Sequence, residues 1–186
     1  MSDRLQPFES FITPLIPEAK LQQRIAELGA QITEDYADKE LIVVGVLKGV
    51  FPFYADLIRQ IRLPCRSDFL GLSSYGSRTS TSGVVRLTSD LSQPVNNRDV
   101  LIVEDIVDTG LTMNYLLQNL SLRGPRSVSI CTLLHKPSNE VVSVELKYVG
   151  FVIENHFVVG YGLDYAERFR NIPYIGYFGG ALPELD

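Results

Sequence analysis

Three carboxylates, Glu104, Asp105 and Asp108, fall within the stretch VLIVEDIVDTGLTM at 100–113, directly behind four apolar residues. Like charges packed so closely repel one another, so a cationic or protonatable group belongs beside them. The residues that follow add a second chemistry. Thr109, Gly110, Leu111 and Thr112 read as a turn opening a helix. Backbone N–H groups there lack intrahelical partners and the helix dipole is positive, which suits a phosphate. Glu104 and Asp105 would sit just before that phosphate, where the hydroxyls of a sugar would lie. Read alone, DTGLT serves equally well as a capped turn with solvated acids. Three acids beside it shift the reading towards a ligand site.

Such residues need a scaffold that brings them to the end of a strand. LIVVGVL at 41–47 is apolar on both faces, as in a central parallel strand, and 98–103 is a second run of that kind. Lys48 and Gly49 close the first run, and VFPFYADLIRQI returns as a helix with Pro52 in its first turn. Leu21, Ile25, Leu28 and Ile32 recur at helical spacing behind Pro17, which predicts a helix over 17–36. Strands are expected at 64–74 and 83–89, joined by YGSRTSTSG, and again at 127–134 and 148–153. A helix over 112–123 should end near Gly124, and the tail FVVGYGLDYAERFRNIPYIGYF reads as loop with short strands. This alternation predicts an α/β domain with a parallel sheet covered on both faces, whose ligands bind beyond the carboxyl ends of the strands. Both Lys48-Gly49 and the acidic stretch lie at such ends.

A chain of 186 residues fits one domain, and its net charge of −5 argues against non-specific nucleic-acid binding. MSDRLQPFESF lacks the basic and apolar regions of a secretory signal, and no apolar run is long enough to span a bilayer. A cytoplasmic protein with no membrane or nucleic-acid partner is expected. Cys65 and Cys131 lack metal-ligand spacing and read as reduced thiols. His135 should face away from its neighbour Lys136 on an extended segment, and His156 reads as structural or exposed.

Five segments, in order, carry a family resemblance. VLIVEDIVDTGLTM resembles the ribose-phosphate signature of the type I phosphoribosyltransferases, and VLKGVFPFYADL resembles their pyrophosphate loop and the helix after it. DFLGLSSYGSRTSTSGVVRLTSDL resembles the mobile loop with its flanking strands. LLHKP and FVVGYGLDYAERFRNIPYI resemble the purine-binding and C-terminal segments of the hypoxanthine-guanine branch. The match runs over roughly residues 40–178. It implies a single domain over 1–186 with a central, mostly parallel sheet flanked by helices and a projecting flexible hairpin. A small hood subdomain would form from the N-terminal segment and roughly 148–186. The implied reaction moves a 5-phosphoribosyl group from phosphoribosyl pyrophosphate to a 6-oxopurine, hypoxanthine and also guanine. Its products would be the purine nucleoside monophosphates IMP or GMP and pyrophosphate. A homodimer or homotetramer is also implied. The rivals are a regulator on this fold that binds phosphoribosyl pyrophosphate and nucleic acid, and a phosphoribosyltransferase for xanthine.

The resemblance also implies residue roles. Asp108 would be the general base, Thr109, Gly110, Leu111 and Thr112 would hold the 5′-phosphate, and Glu104 and Asp105 would face the ribose hydroxyls. Asp164, with Glu104 and Asp105, would serve Mg²⁺. Chemistry asks for that ion as well, because pyrophosphate leaves poorly until its charge is neutralised. Arg170 and the backbone of Lys48 and Gly49 would meet pyrophosphate, with an unusual Leu47-Lys48 peptide geometry. Ser74 and Tyr75 would reach it from a lid that excludes water. Lys136 would donate to O6 of the base, Phe157 would stack on the purine, and Val158 would offer backbone hydrogen bonds. Taken singly, Asp164, Arg170 and Phe157 would pass for ordinary surface charges and a core ring.

Overall fold

The computed structural model describes residues 12–75 and 84–180. Its centre is a six-stranded sheet ordered β4-β3-β2-β5-β6-β7. The strands are β2 (Leu41–Leu47), β3 (Arg66–Tyr75), β4 (Val84–Ser89), β5 (Asp99–Val107), β6 (Ser127–His135) and β7 (Tyr148–Val152). Only β4 runs antiparallel, against β3; the other neighbours are parallel.

The apolar runs explain how the layers form. In β2 and β5, alternate side chains point to opposite faces. Val43, Leu101 and Val103 pack with Leu133 under helices α1 (Glu18–Asp35) and α2 (Phe51–Gln60). Ile42, Val44, Val100 and Ile102 pack with Ile130 under α3 (Leu111–Ser121), through Met113, Leu116 and Leu120. Both faces of the central strands are therefore dry, as their unbroken hydrophobicity requires. Helix α1 buries the Leu21, Ile25, Leu28 and Ile32 stripe.

A smaller antiparallel sheet, ordered β1-β9-β8, joins β1 (Ile12–Ile16), β9 (Ile175–Phe178) and β8 (Val158–Val159). Ile12, Val159, Phe169 and Ile172 form its own core. Strand β1 gives no alternating signal in the sequence and exists through its pairing with β9.

Two expectations need correction. Strand β5 does not end at 103 but continues to Val107, because β6 keeps pairing with it through Ile106↔Leu134 and Val107↔His135. Glu104 and Asp105 thus belong to the strand. The stretch from 148 does not begin the small subdomain either. Tyr148–Val152 is the edge strand of the central sheet, parallel to β6, and the Tyr148 hydroxyl donates to Asp35 Oδ2 at 2.6 Å.

Candidate active site

The carboxyl ends of β2 and β5 and the start of α3 open onto a cavity of about 350 Å³. Lys48, Gly49, Glu104, Asp105, Asp108, Thr109, Gly110 and Thr112 line it, and Asp164 and Arg170 reach it from the loop between β8 and β9. Leu111 is the first residue of α3. Lys136, Phe157 and Val158 stand outside its walls. The side chains of Ser74 and Tyr75, and the expected lid beyond them, lie outside the described residues.

The acidic pair is almost wholly buried, Glu104 at 8% and Asp105 at 9% exposure. Asp105 Oδ1 accepts from the Ile106 N–H at 2.7 Å, and Glu104 Oε1 accepts from the Asp105 N–H at 3.2 Å. Burial, reinforced by the Asp105 charge, pushes the Glu104 carboxyl well above its ordinary range. Burial raises Asp105 too, while hydrogen bonds from Glu104 and the Ile106 N–H and the Arg170 charge pull it back. Both shifts favour the uncharged carboxyl forms, and Glu104 is pushed the further. Glu104 Oε2 is buried with no hydrogen-bond partner among the described residues.

The phosphate-like turn is equally specific. Gly110 sits at φ 78°, a left-handed conformation that favours glycine, and caps α3 without any side-chain hydrogen bond. A Cβ there would strike the Val142 carbonyl. The Val141 and Val142 N–H groups both donate to the Thr109 carbonyl, at 3.0 and 3.1 Å, so the chain after β6 backs the turn. Free N–H groups at the helix start are left to an incoming anion.

On the opposite wall the Leu47–Lys48 peptide is cis. Gly49 fits between Asp105 and the backbone of Gly162 with no room for a side chain. Lys48 Nζ points to Glu167 Oε2 at 3.0 Å, an exposed pair of little energetic weight. Arg170 donates to the Gly162 carbonyl at 2.7 Å and pairs with Asp164 Oδ1 at 2.8 Å, while Asp164 Oδ2 accepts from the Glu167 N–H at 2.8 Å. This loop is anchored from behind: the Tyr161 hydroxyl donates to Asp56 on α2, which also accepts from Gln22 of α1 at 2.7 Å.

Lys136 is buried beside Asp108, and burial lowers its ammonium pKa, partly offset by the Asp108 charge. Asp108 Oδ1 accepts from Asn139 Nδ2 at 2.7 Å. No sequence signal singled out Asn139, which lies in a short 3-10 turn after β6. Phe157 is 50% exposed, edge-on to Tyr165 at 5.7 Å and stacked near Phe178 at 6.4 Å. Val158 is buried and pairs with Tyr177. His156 stacks on Tyr177, and His135 lies 3.9 Å from Glu140; neither lines the cavity. Cys65 and Cys131 are free thiols. Among the described residues no helix is long and apolar enough to cross a membrane.

An α/β sheet with acids, an uncapped helix start and an Asp–Arg pair at its carboxyl edge describes a class of sugar-phosphate-handling protein. Residues 17–166 match the phosphoribosyl transferase domain, and the chain belongs to that family. It is 52% identical over 168 residues to the hypoxanthine-guanine phosphoribosyltransferase of Mycobacterium avium, covering 87% of this chain and 83% of that protein. It is 51% identical over 164 residues to the hypoxanthine phosphoribosyltransferase of Escherichia coli strain K12, covering 87% and 92%. A crystal structure of a hypoxanthine phosphoribosyltransferase from Staphylococcus aureus superposes with a TM-score of 0.89 at 42% identity, covering 95% of this chain and 96% of that one.

Proposed function

We propose that this chain is a purine salvage enzyme that transfers the 5-phosphoribosyl group of phosphoribosyl pyrophosphate to hypoxanthine, and to guanine, giving IMP or GMP and pyrophosphate. The observation that carries the reading is the meeting of four separate features on one cavity: Glu104-Asp105, the turn at Thr109–Thr112, Gly49, and the Asp164–Arg170 pair. Each suits one part of that substrate. The start of α3 takes the 5′-phosphate, the acids take the ribose 2′- and 3′-hydroxyls, and Arg170 with the backbone at Lys48-Gly49 takes pyrophosphate. Ser74 and Tyr75 are assigned to pyrophosphate by family likeness alone.

The base N9 attacks C1′ as the C1′–O bond to pyrophosphate breaks and its electron pair departs with the leaving group. The ring gains positive charge as this happens. The carboxylate of Asp105 and the hydroxyl bonds held by the acid pair stabilise that charge, as carboxylates do at other oxocarbenium-like centres. The proton on base N7 passes to the Asp108 carboxylate. Lys136 presents donors to O6, the exposed face of Phe157 stacks on the purine, and Val158 supplies backbone hydrogen bonds.

Mg²⁺ fits this site. Asp164, Glu104 and Asp105 line the cavity and would turn carboxylate oxygens towards the ion, Glu104 Oε2 being buried without a hydrogen-bond partner, although among the described residues no three such groups converge tightly enough to hold it alone. Mg²⁺ needs few protein ligands because it keeps water and phosphate oxygens. Bound there, it would neutralise the charge of the departing pyrophosphate. The family likeness supports a cytoplasmic homodimer or homotetramer, and Phe51, 48% exposed, and Phe69, 36% exposed, offer apolar surface to a second subunit.

The test is a base panel assayed with phosphoribosyl pyrophosphate and Mg²⁺. Hypoxanthine and guanine should be converted and adenine should be rejected by about 10⁴-fold, since Lys136 has donors only. Asp108→Asn should lower kcat by about 10²–10⁴-fold. Binding of phosphoribosyl pyrophosphate with no conversion of any base would instead favour a regulator.

A further inference from the structure

We infer that Asn139 is a positioning residue for Asp108, and that it ties the proton-accepting carboxylate to the loop that carries Phe157. The inference rests on the base role assigned to Asp108. Asn139 Nδ2 carries two N–H groups, and both are used: one donates to Asp108 Oδ1 at 2.7 Å and the other to Asn155 Oδ1 at 2.8 Å. Asp108 precedes the turn into α3, whereas Asn155 lies two residues before Phe157 in the loop that leads into β8. The amide thus bridges two segments that share no strand pairing.

The bridge has a consequence for the reaction. An Asp side chain at a strand end rotates freely unless something holds one of its oxygens. A donor on Oδ1 fixes the carboxylate plane and leaves Oδ2 as the oxygen for an incoming N–H. The donor is neutral, so it orients Asp108 without cancelling its charge, as the nearby Lys136 ammonium would if it paired directly. The bridge is also rigidly mounted. Asn139 sits in the 3-10 turn of Pro137–Asn139, whose amide donates to the Lys136 carbonyl at 3.2 Å, and Val141 and Val142 bind the Thr109 carbonyl just beyond. Any movement of the 155–158 loop when a base stacks on Phe157 is therefore passed through Asn155 and Asn139 to Asp108.

The experiment is a double-mutant cycle on the intact enzyme, reading kcat and both KM values with hypoxanthine, with thermal unfolding as a check on fold. Asn139→Ala should lower kcat about tenfold, the effect of one hydrogen bond to a charged group, with the KM for phosphoribosyl pyrophosphate unchanged. Asn139→Asp should be worse than Asn139→Ala, because it sets a like charge against Asp108. In the Asp108→Asn background, Asn139→Ala should cost nothing further, because the carboxylate it orients is gone. Asn155→Ala should give a smaller loss that appears chiefly in the KM for hypoxanthine. Losses from Asn139→Ala and Asp108→Asn that multiply, or a normal kcat in Asn139→Ala, would overturn the role of Asn139 while leaving that of Asp108 intact. A near-normal kcat in Asp108→Asn would remove the base role itself, and the positioning role with it.

Discussion

Replacing Gly49 by alanine separates a steric role at the site from a general role in the fold. Gly49 has an ordinary negative φ, so the backbone itself accepts alanine. The added methyl group has nowhere to go. It would overlap Asp105 Oδ2, approach Asp105 Cγ to 3.0 Å and reach 3.4 Å from the Gly162 carbonyl. Asp105 cannot simply turn aside, because its other oxygen is held by the Ile106 N–H at 2.7 Å and the side chain is buried. The carboxylate must therefore move by more than an ångström, or the Gly162 loop must lift and carry Asp164 and Arg170 with it. Either shift spoils a cavity wall. Misplacement of about 1 Å costs on the order of 10²-fold in rate, and that is the loss in kcat/KM expected for Gly49→Ala. Overpacking costs about 1–3 kcal/mol, and at this chain length each kcal/mol lowers the unfolding midpoint by about 2–4 °C. Absorbance-monitored conversion of hypoxanthine, alongside thermal unfolding, reads both effects. Gly180→Ala, where a Cβ meets nothing within 4 Å, is the matched control and should be silent. A Gly49→Ala enzyme with kcat/KM within about twofold of wild type would refute the close packing of the two walls.

Glu104→Gln should abolish most turnover yet stabilise the free protein. Burial raises the folded-state pKa of Glu104 above that of the unfolded chain, so the folded state keeps a proton that the unfolded state has lost, and wild-type stability falls as pH rises through that window. In EDTA the glutamine variant should match wild type at acid pH and gain over it as pH rises above about 4.5, the ordinary glutamate value; equal midpoints at neutral pH would show that Glu104 is not held neutral. Lys136→Gln should reduce hypoxanthine kcat/KM by about 10²-fold and narrow its lead over adenine, since an amide also accepts from an amino group; an unchanged ratio would show that Lys136 does not read O6. Asp56→Ala, which frees Tyr161 and Gln22, should raise the KM for phosphoribosyl pyrophosphate more than that for hypoxanthine, because it loosens the loop bearing Asp164 and Arg170. Equal changes in both KM values would place the knot outside the pyrophosphate wall.

Apolar period and turn chemistry made most of the sheet legible. LIVVGVL, the stripe of α1 and the strand at 127–134 all state their own environment, because burial on one or both faces dictates side-chain type at each position. Strand β5 misled at its end for a physical reason: Glu104 and Asp105 break the apolar run, but the backbone beneath them stays paired with β6. Strand β1 is invisible to periodicity because its partner β9 lies at the far end of the chain and supplies the order. The site divides in the same way. The acids and the turn announce themselves as a local cluster, whereas Asp164 and Arg170 come forward only by family likeness. Their arrival depends on Gly162 lying against Gly49 and on Tyr161 reaching Asp56, contacts that no local spacing encodes. Nor does residue type say that Glu104 resists ionisation; that follows from how completely β5 and its neighbours bury the pair. Asn139 is the sharpest case. An asparagine after KPS is ordinary turn chemistry, and only the meeting of its amide with Asp108 on one side and Asn155 on the other turns it from a turn former into a candidate part of the reaction.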